Sequence, residues 1–283
     1  MMMRKNILCI ICVFAIMLLS GCKNRENQKI IVGVSADYPP FAFEYNDAFI
    51  GFDIELVDAI ADKLKYEVEF KKVDFQNLFS ELEEKKIDVI ASAVTKTKGR
   101  EEKFAFSHPY YNSKFALVYK KNRLKQIIGL DDMDGVVGVE KNTTMEGVAR
   151  SKYFSGYESQ DGEGDVNNNT DESIAQQDSK EYLKLYDSHG ELIHALEKDD
   201  VDGVILEVLQ AEVVTQNNNE LTYIMIPNEK NEHYYYGFVF NKDSKLVDKF
   251  NKVLDELDLE GKVDILKLRW FSGYGMYNNS QQN

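Results

Sequence analysis

Hydrophobic and polar positions alternate along this chain in a pattern that predicts strands followed by helices. Lys29 to Ser35 (KIIVGVS) is an apolar run with the length of a buried strand, and Asp53 to Leu64 carries apolar residues at helical spacing. Those helical apolar positions are Leu56, Val57, Ile60, Ala61 and Leu64. A strand (EVEFKKV), a helix (FQNLFSELEEKK) and a buried strand (IDVIASA) follow. This alternation predicts an α/β lobe with a parallel or mixed sheet.

The same alternation begins again after the apolar run FALVYKK. The second set comprises a strand (VVGVE), a helix from Thr143 to Phe154, a helix near Gly190 to Glu197, a strand (VDGVIL) and a helix from Glu207 to Thr215. It predicts a second α/β lobe. The later segments are YYYGFVFNKD, a helix from Ser244 to Leu257 and a short helix ending at Trp270, too few strands for a further lobe. We expect them to complete lobe 1, so that the chain crosses between the lobes twice and forms a hinge. The predicted boundaries are 29–118 and 229–283 for lobe 1, and 119–228 for lobe 2.

The N-terminus has a different pattern, in which Arg4 and Lys5 precede an apolar run from Ile7 to Leu19. This is the layout of a secretory signal, and the run is too short to span a bilayer comfortably. The ending Leu19-Ser20-Gly21-Cys22 resembles the lipobox of bacterial lipoproteins, which implies removal of residues 1–21 and acylation of Cys22. Residues 22–28 then form a tether to a membrane. The alternative is an ordinary cleaved signal with an incidental cysteine. We expect an exported protein of the cell envelope, in the periplasm or on the outer face of the cytoplasmic membrane.

The net charge and the cysteine content limit which partners the protein can bind and whether it can form disulfides. The chain carries 48 acidic and 34 basic residues, a net charge of −14, and removal of Arg4 and Lys5 with the signal changes it to −16. Nucleic acid is therefore a poor partner. Cys9 and Cys12 lie within the signal, so the mature chain keeps Cys22 alone and cannot form an internal disulfide.

An acidic segment interrupts lobe 2 between its first and second helices. Residues 155–181 (SGYESQDGEGDVNNNTDESIAQQDSKE) contain almost no large apolar side chain. This composition predicts a flexible surface insertion, because it cannot bury enough apolar area to offset the entropy of ordering. Calcium binding by Asp161, Glu163 and Asp165 is an alternative, but the helix-flanked twelve-residue loop typical of such sites is missing.

Arg100 is the first candidate for a ligand-binding residue. It lies in the stretch TKTKGREEKFAFSHPYY, where charged neighbours on both sides favour a solvated surface charge. A guanidinium can also bind a carboxylate through two parallel charge-assisted hydrogen bonds, which lysine cannot reproduce. The local sequence leaves both interpretations open.

Four stretches in order resemble the family 3 extracellular solute-binding proteins, the amino-acid receptors of ABC importers. They are VGVSADYPPFAFEYNDAFIGFDIELVDAIADKL, DVIASAVTKTKGREEKFAFSHPYY, GVEKNTTMEG and VDGVILEVLQAEVV, and the likeness extends from Ile31 to Trp270. The resemblance implies the type II periplasmic-binding-protein fold, in which two α/β lobes close on a ligand in the cleft. It also implies an L-amino acid ligand, an ABC permease as partner, a monomeric protein, and neither cofactor nor metal.

The resemblance assigns roles to individual positions around the ligand backbone. Arg100 and Thr95 match the residues that hold the α-carboxylate. Thr143 and Thr144 match a Gly-Thr pair that contacts the same group, although this chain has Asn142 where glycine is usual; the alternative for both threonines is a helix cap. Glu207 matches the acid, aspartate in most relatives, that binds the α-ammonium; its alternative is an acid favoured at a helix N-terminus.

Further positions concern the ligand side chain. Tyr38 and Phe52 match an aromatic pair on either side of it, which can also attract a cation, and as single residues both could instead belong to the core. Ala93 is expected as a further contact. Ser35 and Glu140 are candidates for selecting a polar or basic side chain.

Two other function classes remain as alternatives. Some proteins resembling this family are secreted dehydratases, in which a cleft carboxylate such as Glu207 acts as general acid. The sequence contains no H-E-x-x-H, no G-x-S-x-G and no phosphate loop, and its histidines lack metal spacing, so we expect a binding protein and not an enzyme. A sensor domain is the other alternative, but no signalling module follows Trp270 in this sequence.

Overall fold

The structure is a computed structural model that describes residues 28–122, 127–153, 182–227 and 234–272. The predicted signal, Cys22, most of the predicted tether and the acidic insertion 155–181 lie outside the described residues. The strands are β1 (Gln28–Val34), β2 (Asp37–Tyr38), β3 (Ala42–Tyr45), β4 (Ala48–Ile50), β5 (Tyr66–Lys72), β6 (Val89–Ile90), β7 (Phe104–Phe106), β8 (Tyr111–Ser113), β9 (Phe115–Lys120), β10 (Val137–Glu140), β11 (Leu183–Tyr186), β12 (Gly203–Glu207), β13 (Leu221–Met225), β14 (Tyr234–Tyr236) and β15 (Val239–Asn241). The α-helices are α1 (Phe52–Leu64), α2 (Leu78–Glu83), α3 (Lys98–Lys103), α4 (Thr144–Tyr153), α5 (His189–Glu197), α6 (Val208–Asn217), α7 (Leu246–Leu259) and α8 (Lys262–Lys267).

The first lobe is built on a five-stranded sheet in the order β5-β1-β6-β15-β7. Strand β1 is parallel to β5 and β6, whereas β15 is antiparallel to β6 and β7. Helix α1 packs Leu56, Val57 and Ile60 into one apolar cluster with α7, and α2 contributes Leu78 and Leu82 to another cluster. Helices therefore cover the sheet on both faces, as expected for a mostly parallel sheet.

The second lobe is built on a separate five-stranded sheet in the order β11-β10-β12-β9-β13. Strand β10 is parallel to β11 and β12, and β9 runs antiparallel to β12 and β13. Two buried clusters lie on this sheet; one includes Met145 and Ala149 of α4, and the other includes Leu192 of α5 and Ala211 of α6. The two-lobed α/β architecture predicted from the sequence is present.

Two neighbouring segments carry the chain between the lobes. Strand β8 precedes the second sheet, and β14 follows it; the two pair antiparallel, with Tyr236 opposite Tyr111 and Tyr234 opposite Ser113. The predicted boundary between residues 118 and 119 falls inside β9, which pairs along its length with the second sheet. Hydrogen bonding to β12 therefore assigns 115–118 to lobe 2, and we propose a lobe boundary just before Phe115.

None of the helices within the described ranges combines the length and apolar character needed to cross a membrane.

Candidate functional site

A pocket lies between the lobes, where the carboxyl ends of strands from both sheets meet. Ligands of open α/β sheets bind at this edge, because loops leaving the strands project into a shared crevice. Its lining residues are Ser35, Asp37, Tyr38, Phe75, Ser92, Ala93, Thr95, Arg100, Glu140, Thr143, Thr144, Met145 and Glu207.

Arg100 lies in the pocket wall and is 8% exposed, so the surface-charge interpretation is wrong. Its backbone N–H donates to Oγ1 of Thr97, the N-cap of α3, at 3.3 Å, which starts the helix so that Arg100 is in its first turn. The guanidinium donates from Nη1 to the Thr95 carbonyl and from Nη2 to the Asn142 carbonyl, both at 3.0 Å. It also lies 5.2 Å from the centre of the Phe79 ring. These contacts fix a cation at the junction of the two lobes.

The threonines predicted around the carboxylate meet across the cleft. Oγ1 of Thr95, from lobe 1, lies 3.3 Å from Oγ1 of Thr144, from lobe 2, and both side chains are buried. The Thr143 hydroxyl donates to the Glu140 carbonyl at 2.7 Å and accepts from the Glu146 N–H at 3.4 Å. Thr143 therefore caps the start of α4, the alternative open from the sequence, while it also lines the pocket.

Asn142, which follows β10 and precedes Thr143, has an unusual backbone conformation. Its φ is 57°, in the left-handed region that glycine adopts without strain and that asparagine tolerates better than most residues. A residue with left-handed backbone therefore follows β10 at the position where glycine was expected. The Asn142 side chain donates to the Gln76 side chain of lobe 1.

Glu207 is the N-cap residue of α6, but its side chain makes no capping hydrogen bond. The carboxylate faces the pocket and accepts a hydrogen bond from the Tyr38 hydroxyl of lobe 1. Burial raises the pKa of Glu207 to about 7, although nearby tyrosine hydroxyls and Arg100 oppose the shift. A positively charged group next to this carboxylate would favour its ionised form and offset part of the cost of burying it.

The two residues of the predicted aromatic pair lie in different surroundings. Tyr38 lines the pocket, with its ring edge-on to His189 at 5.3 Å. Phe52 does not line it: the side chain is fully buried in the core of lobe 1 and packs against Phe41 and Phe271. Phe52 is the first residue of α1, and its ring lies on the apolar face of that helix, which packs into the core. Phe75 lines the pocket instead.

Ala93 has a left-handed backbone, with φ at 50°. Its N–H donates to Oδ2 of Asp53 at 2.7 Å, and the Tyr110 hydroxyl donates to the same oxygen at 3.0 Å. Asp53 is fully buried, and burial raises its pKa to about 7. This carboxyl group, which sequence reasoning did not single out, holds the loop that carries Ser92 and Thr95 into the pocket.

Ser35, Asp37 and Glu140 all line the pocket. The Ser35 hydroxyl donates to Oδ1 of Asp37 at 2.8 Å, and its N–H donates to Oγ of Ser92 at 3.0 Å. Glu140 is the last residue of β10 and is buried. Burial, followed by the charges of Asp37 and Glu207, raises the pKa of Glu140 to about 8.

Four lining residues were absent from the sequence-based set: Asp37, Phe75, Ser92 and Met145. A positional signal exists for three of them. Asp37, Phe75 and Ser92 follow closely after the carboxyl ends of β1, β5 and β6, the edge at which ligands of α/β sheets bind.

Residues 30–273 match the family model described as bacterial extracellular solute-binding proteins, family 3. The chain is 31% identical over 281 residues to the arginine-binding extracellular protein ArtP of Bacillus subtilis, covering 96% of this chain and 99% of that one. Its fold is similar to a crystal structure of the amino acid ABC transporter substrate-binding protein AbpA from Streptococcus pneumoniae bound to L-arginine, with TM-score 0.71, 28% identity, and coverage of 86% of this chain and 94% of that one. It is also similar to the arginine-, lysine-, histidine-binding protein ArtJ from Geobacillus stearothermophilus, with TM-score 0.71, 25% identity, and coverage of 87% and 96%.

Proposed function

The chain belongs to the bacterial extracellular solute-binding proteins, family 3, and from this membership we propose that it captures an L-amino acid with a polar or charged side chain for an ABC importer. Its fold is the type II periplasmic-binding-protein fold, as predicted from the sequence. One observation carries the proposal: Arg100 of lobe 1 and Glu207 of lobe 2 line the same buried pocket. The two opposite charges suit the α-carboxylate and α-ammonium groups that all such ligands share.

We assign the residues around the ligand backbone on this basis. Arg100 and the Thr95 hydroxyl bind the α-carboxylate on lobe 1, and Thr143 and Thr144 approach it from lobe 2. Glu207 binds the α-ammonium. Because the contacts come from both lobes, ligand capture is coupled to closure about the β8–β14 hinge, and the closed protein delivers its ligand to the permease.

The ligand that co-purifies with the processed protein tests this function. Native mass spectrometry should show an L-amino acid bound to it. After the ligand is removed by unfolding and refolding, adding that amino acid should raise Tm, and its D-enantiomer should raise Tm much less. Failure of every proteinogenic L-amino acid to bind the refolded protein would reject the function.

The dehydratase-like enzyme and the sensor remain alternatives without a specific observation in their favour. ArtP, AbpA and ArtJ are all named as binding or substrate-binding proteins. Incubating the same sample with prephenate-like acids should give no product, and measurable turnover would favour the enzyme.

We further propose that the exported protein is anchored to the membrane through an acylated Cys22. The support is the Leu19-Ser20-Gly21-Cys22 sequence after a signal-like apolar run. Changing Cys22 to Ser should prevent acylation and move the protein from the membrane fraction to the soluble or unprocessed pool, as followed by fractionation and immunoblotting. If a cleaved Cys22→Ser protein stays in the membrane fraction, the anchor proposal is wrong.

A further inference from the structure

The pocket contains more negative charge than the backbone of an L-amino acid requires. Its ionisable lining residues include one cation, Arg100, and three carboxyl groups, those of Asp37, Glu140 and Glu207. If Arg100 binds the α-carboxylate and Glu207 the α-ammonium, as in the proposed function on which this step rests, Asp37 and Glu140 have no role in backbone recognition.

Of these two residues, Glu140 gives the clearer indication of what the ligand side chain is. Its side chain is 5% exposed, and its carboxylate forms no hydrogen bond or ion pair with any described residue. Its charged neighbours Asp37 and Glu207 have the same sign and disfavour its ionised form. A buried carboxylate without a partner is costly, whereas a cation beside it would recover much of that cost.

Asp37 supplies a second carboxylate close enough to Glu140 for their charges to interact. Its Oδ1 accepts the hydrogen bond from the Ser35 hydroxyl, so its position relative to β1 is fixed. Among the residues that the structure describes, no group of three or more His, Cys, Asp or Glu residues is arranged to hold a metal ion. An organic cation therefore fits these carboxylates better than a metal does.

We propose that Glu140, assisted by Asp37, selects ligands whose side chain ends in a guanidinium or ammonium group, and that binding such a ligand expels a proton from the pocket. The ligand brings two cationic groups and one anionic group. These pair with the carboxylates of Glu207 and Glu140 and with the guanidinium of Arg100, so every strongly desolvated charge has a partner of opposite sign.

The proton release follows from the surroundings of Glu140, which is buried in the same pocket as the carboxyl groups of Asp37 and Glu207 and has no cation beside it within the described ranges. Because the pKa of Glu140 is about 8, the group is mostly protonated at pH 7. A cationic side chain favours the ionised form and lowers that pKa, so the proton leaves on binding. Affinity for cationic ligands should therefore rise with pH up to about 8 and then level off.

The other titratable groups near Glu140 behave differently. Tyr38 stays protonated because burial raises its pKa, and His189 stays neutral because burial lowers its pKa to about 4. Glu207 titrates near 7, but its proton is released with any ligand that carries an α-ammonium. Comparing two ligands with the same backbone therefore separates Glu140 from Glu207.

Matched ligands isolate the side-chain charge. Calorimetric titration should compare L-arginine with L-citrulline, whose neutral ureido group has nearly the same shape, and L-lysine with L-norleucine. In the wild-type protein, at least one cationic ligand should bind 100-fold or more tightly than its neutral partner, roughly 3 kcal/mol. Glu140→Gln should reduce that preference at least about tenfold, mainly by weakening the cationic ligand. Glu140→Asp keeps the charge and should retain part of the preference.

Two controls separate this role from general damage to the pocket. Glu207→Gln should weaken the cationic and neutral ligands by similar factors, because it affects the shared α-ammonium. Titrations at pH 7 in two buffers of different ionisation enthalpy should show about one more proton released with the cationic ligand than with its neutral partner, and this difference should disappear in Glu140→Gln.

The possible results distinguish this inference from the proposed function. If neutral ligands bind the wild-type protein as tightly as their cationic partners, or if Glu140→Gln leaves the preference intact, Glu140 does not select charge. In either case the protein still binds an amino acid and the proposed function stands. If no L-amino acid binds, the proposed function itself fails.

Discussion

At the scale of single residues, the environment of Arg100 explains why a guanidinium and not an ammonium occupies this position. Two N–H groups already donate to the carbonyls of Thr95 and Asn142, one on each lobe, and the plane lies near the Phe79 ring. A planar group with five donors can make these contacts and still bind a carboxylate. Lysine has three donors on a single nitrogen and cannot satisfy the same geometry.

Changing Arg100 to Lys should therefore weaken L-amino acid binding although the charge is kept. We expect a loss of about 2–4 kcal/mol, because a desolvated charge pair is distorted. Calorimetric titration measures it directly. Arg269→Lys is the matched control, since Arg269 is exposed and forms an ion pair with Glu55 at 2.6 Å, and it should bind ligand like the wild type. Wild-type affinity in Arg100→Lys would contradict the assignment of the carboxylate site.

Phe52 and Phe75 mark the limit of what single residues reveal in the sequence. The resemblance of the stretch around Arg100 to the solute-binding family predicted that this residue lies at the ligand site, and it lines the pocket. The sequence does not show which of the two phenylalanines lines the pocket, because an aromatic side chain packs equally well in a core and in a pocket wall. Only the packing of Phe52 against Phe41 and Phe271 shows that it belongs to the core.

At the scale of elements, the short helix α3 determines where Arg100 points. Its start is fixed by Thr97, whose Oγ1 accepts the Arg100 N–H. Without the cap, the first turn has an unsatisfied N–H and frays more easily. The cap therefore contributes both to stability and to the position of the guanidinium.

Thr97→Ala should lower the stability by about 0.5–2 kcal/mol and weaken binding of every L-amino acid. Thr97→Ser is the control, because serine retains the capping oxygen. Thermal unfolding should show a Tm lower by a few degrees for Thr97→Ala only, and titration should show the affinity loss in the same variant. Identical behaviour of the alanine and serine variants would mean that the cap does not position Arg100.

The elements themselves were largely predictable, but their ends were not. The predicted strand IDVIASA is a strand only at Val89–Ile90, because the chain then turns to place Ala93 in the left-handed region. That turn depends on Asp53, which accepts the Ala93 N–H although it lies 40 residues away in sequence. Hydrophobic periodicity reports which face of a segment is buried, and it contains no information on a distant hydrogen bond that ends the segment.

At the scale of the whole molecule, the lobes contact each other at points on both sides of the pocket. Tyr38 of lobe 1 donates to Glu207 of lobe 2, and the Gln210 side chain of lobe 2 donates to the Pro39 carbonyl of lobe 1. On the other side, Gln76 donates to the Lys141 carbonyl at 2.6 Å and accepts from Asn142. Gln76 is not a lining residue of the pocket. We therefore expect Gln76 to affect binding through the equilibrium between open and closed arrangements and not through contact with the ligand.

Removing the Gln76 side chain should weaken all ligands by the same factor. Gln76→Ala deletes two hydrogen bonds that exist only when the lobes meet, each contributing about 0.5–1.5 kcal/mol, so closure becomes less favourable and apparent affinity falls with the closed fraction. Gln216→Ala, an exposed change on α6, should have no effect. Small-angle scattering should give Gln76→Ala and the wild type the same radius of gyration at saturating ligand. Without ligand, the radius of gyration of Gln76→Ala should be larger than that of the wild type. If the loss of affinity depended on the ligand side chain, Gln76 would act within a lobe and not on closure of the lobes. The same would follow if Tm fell while scattering showed that the lobes still close.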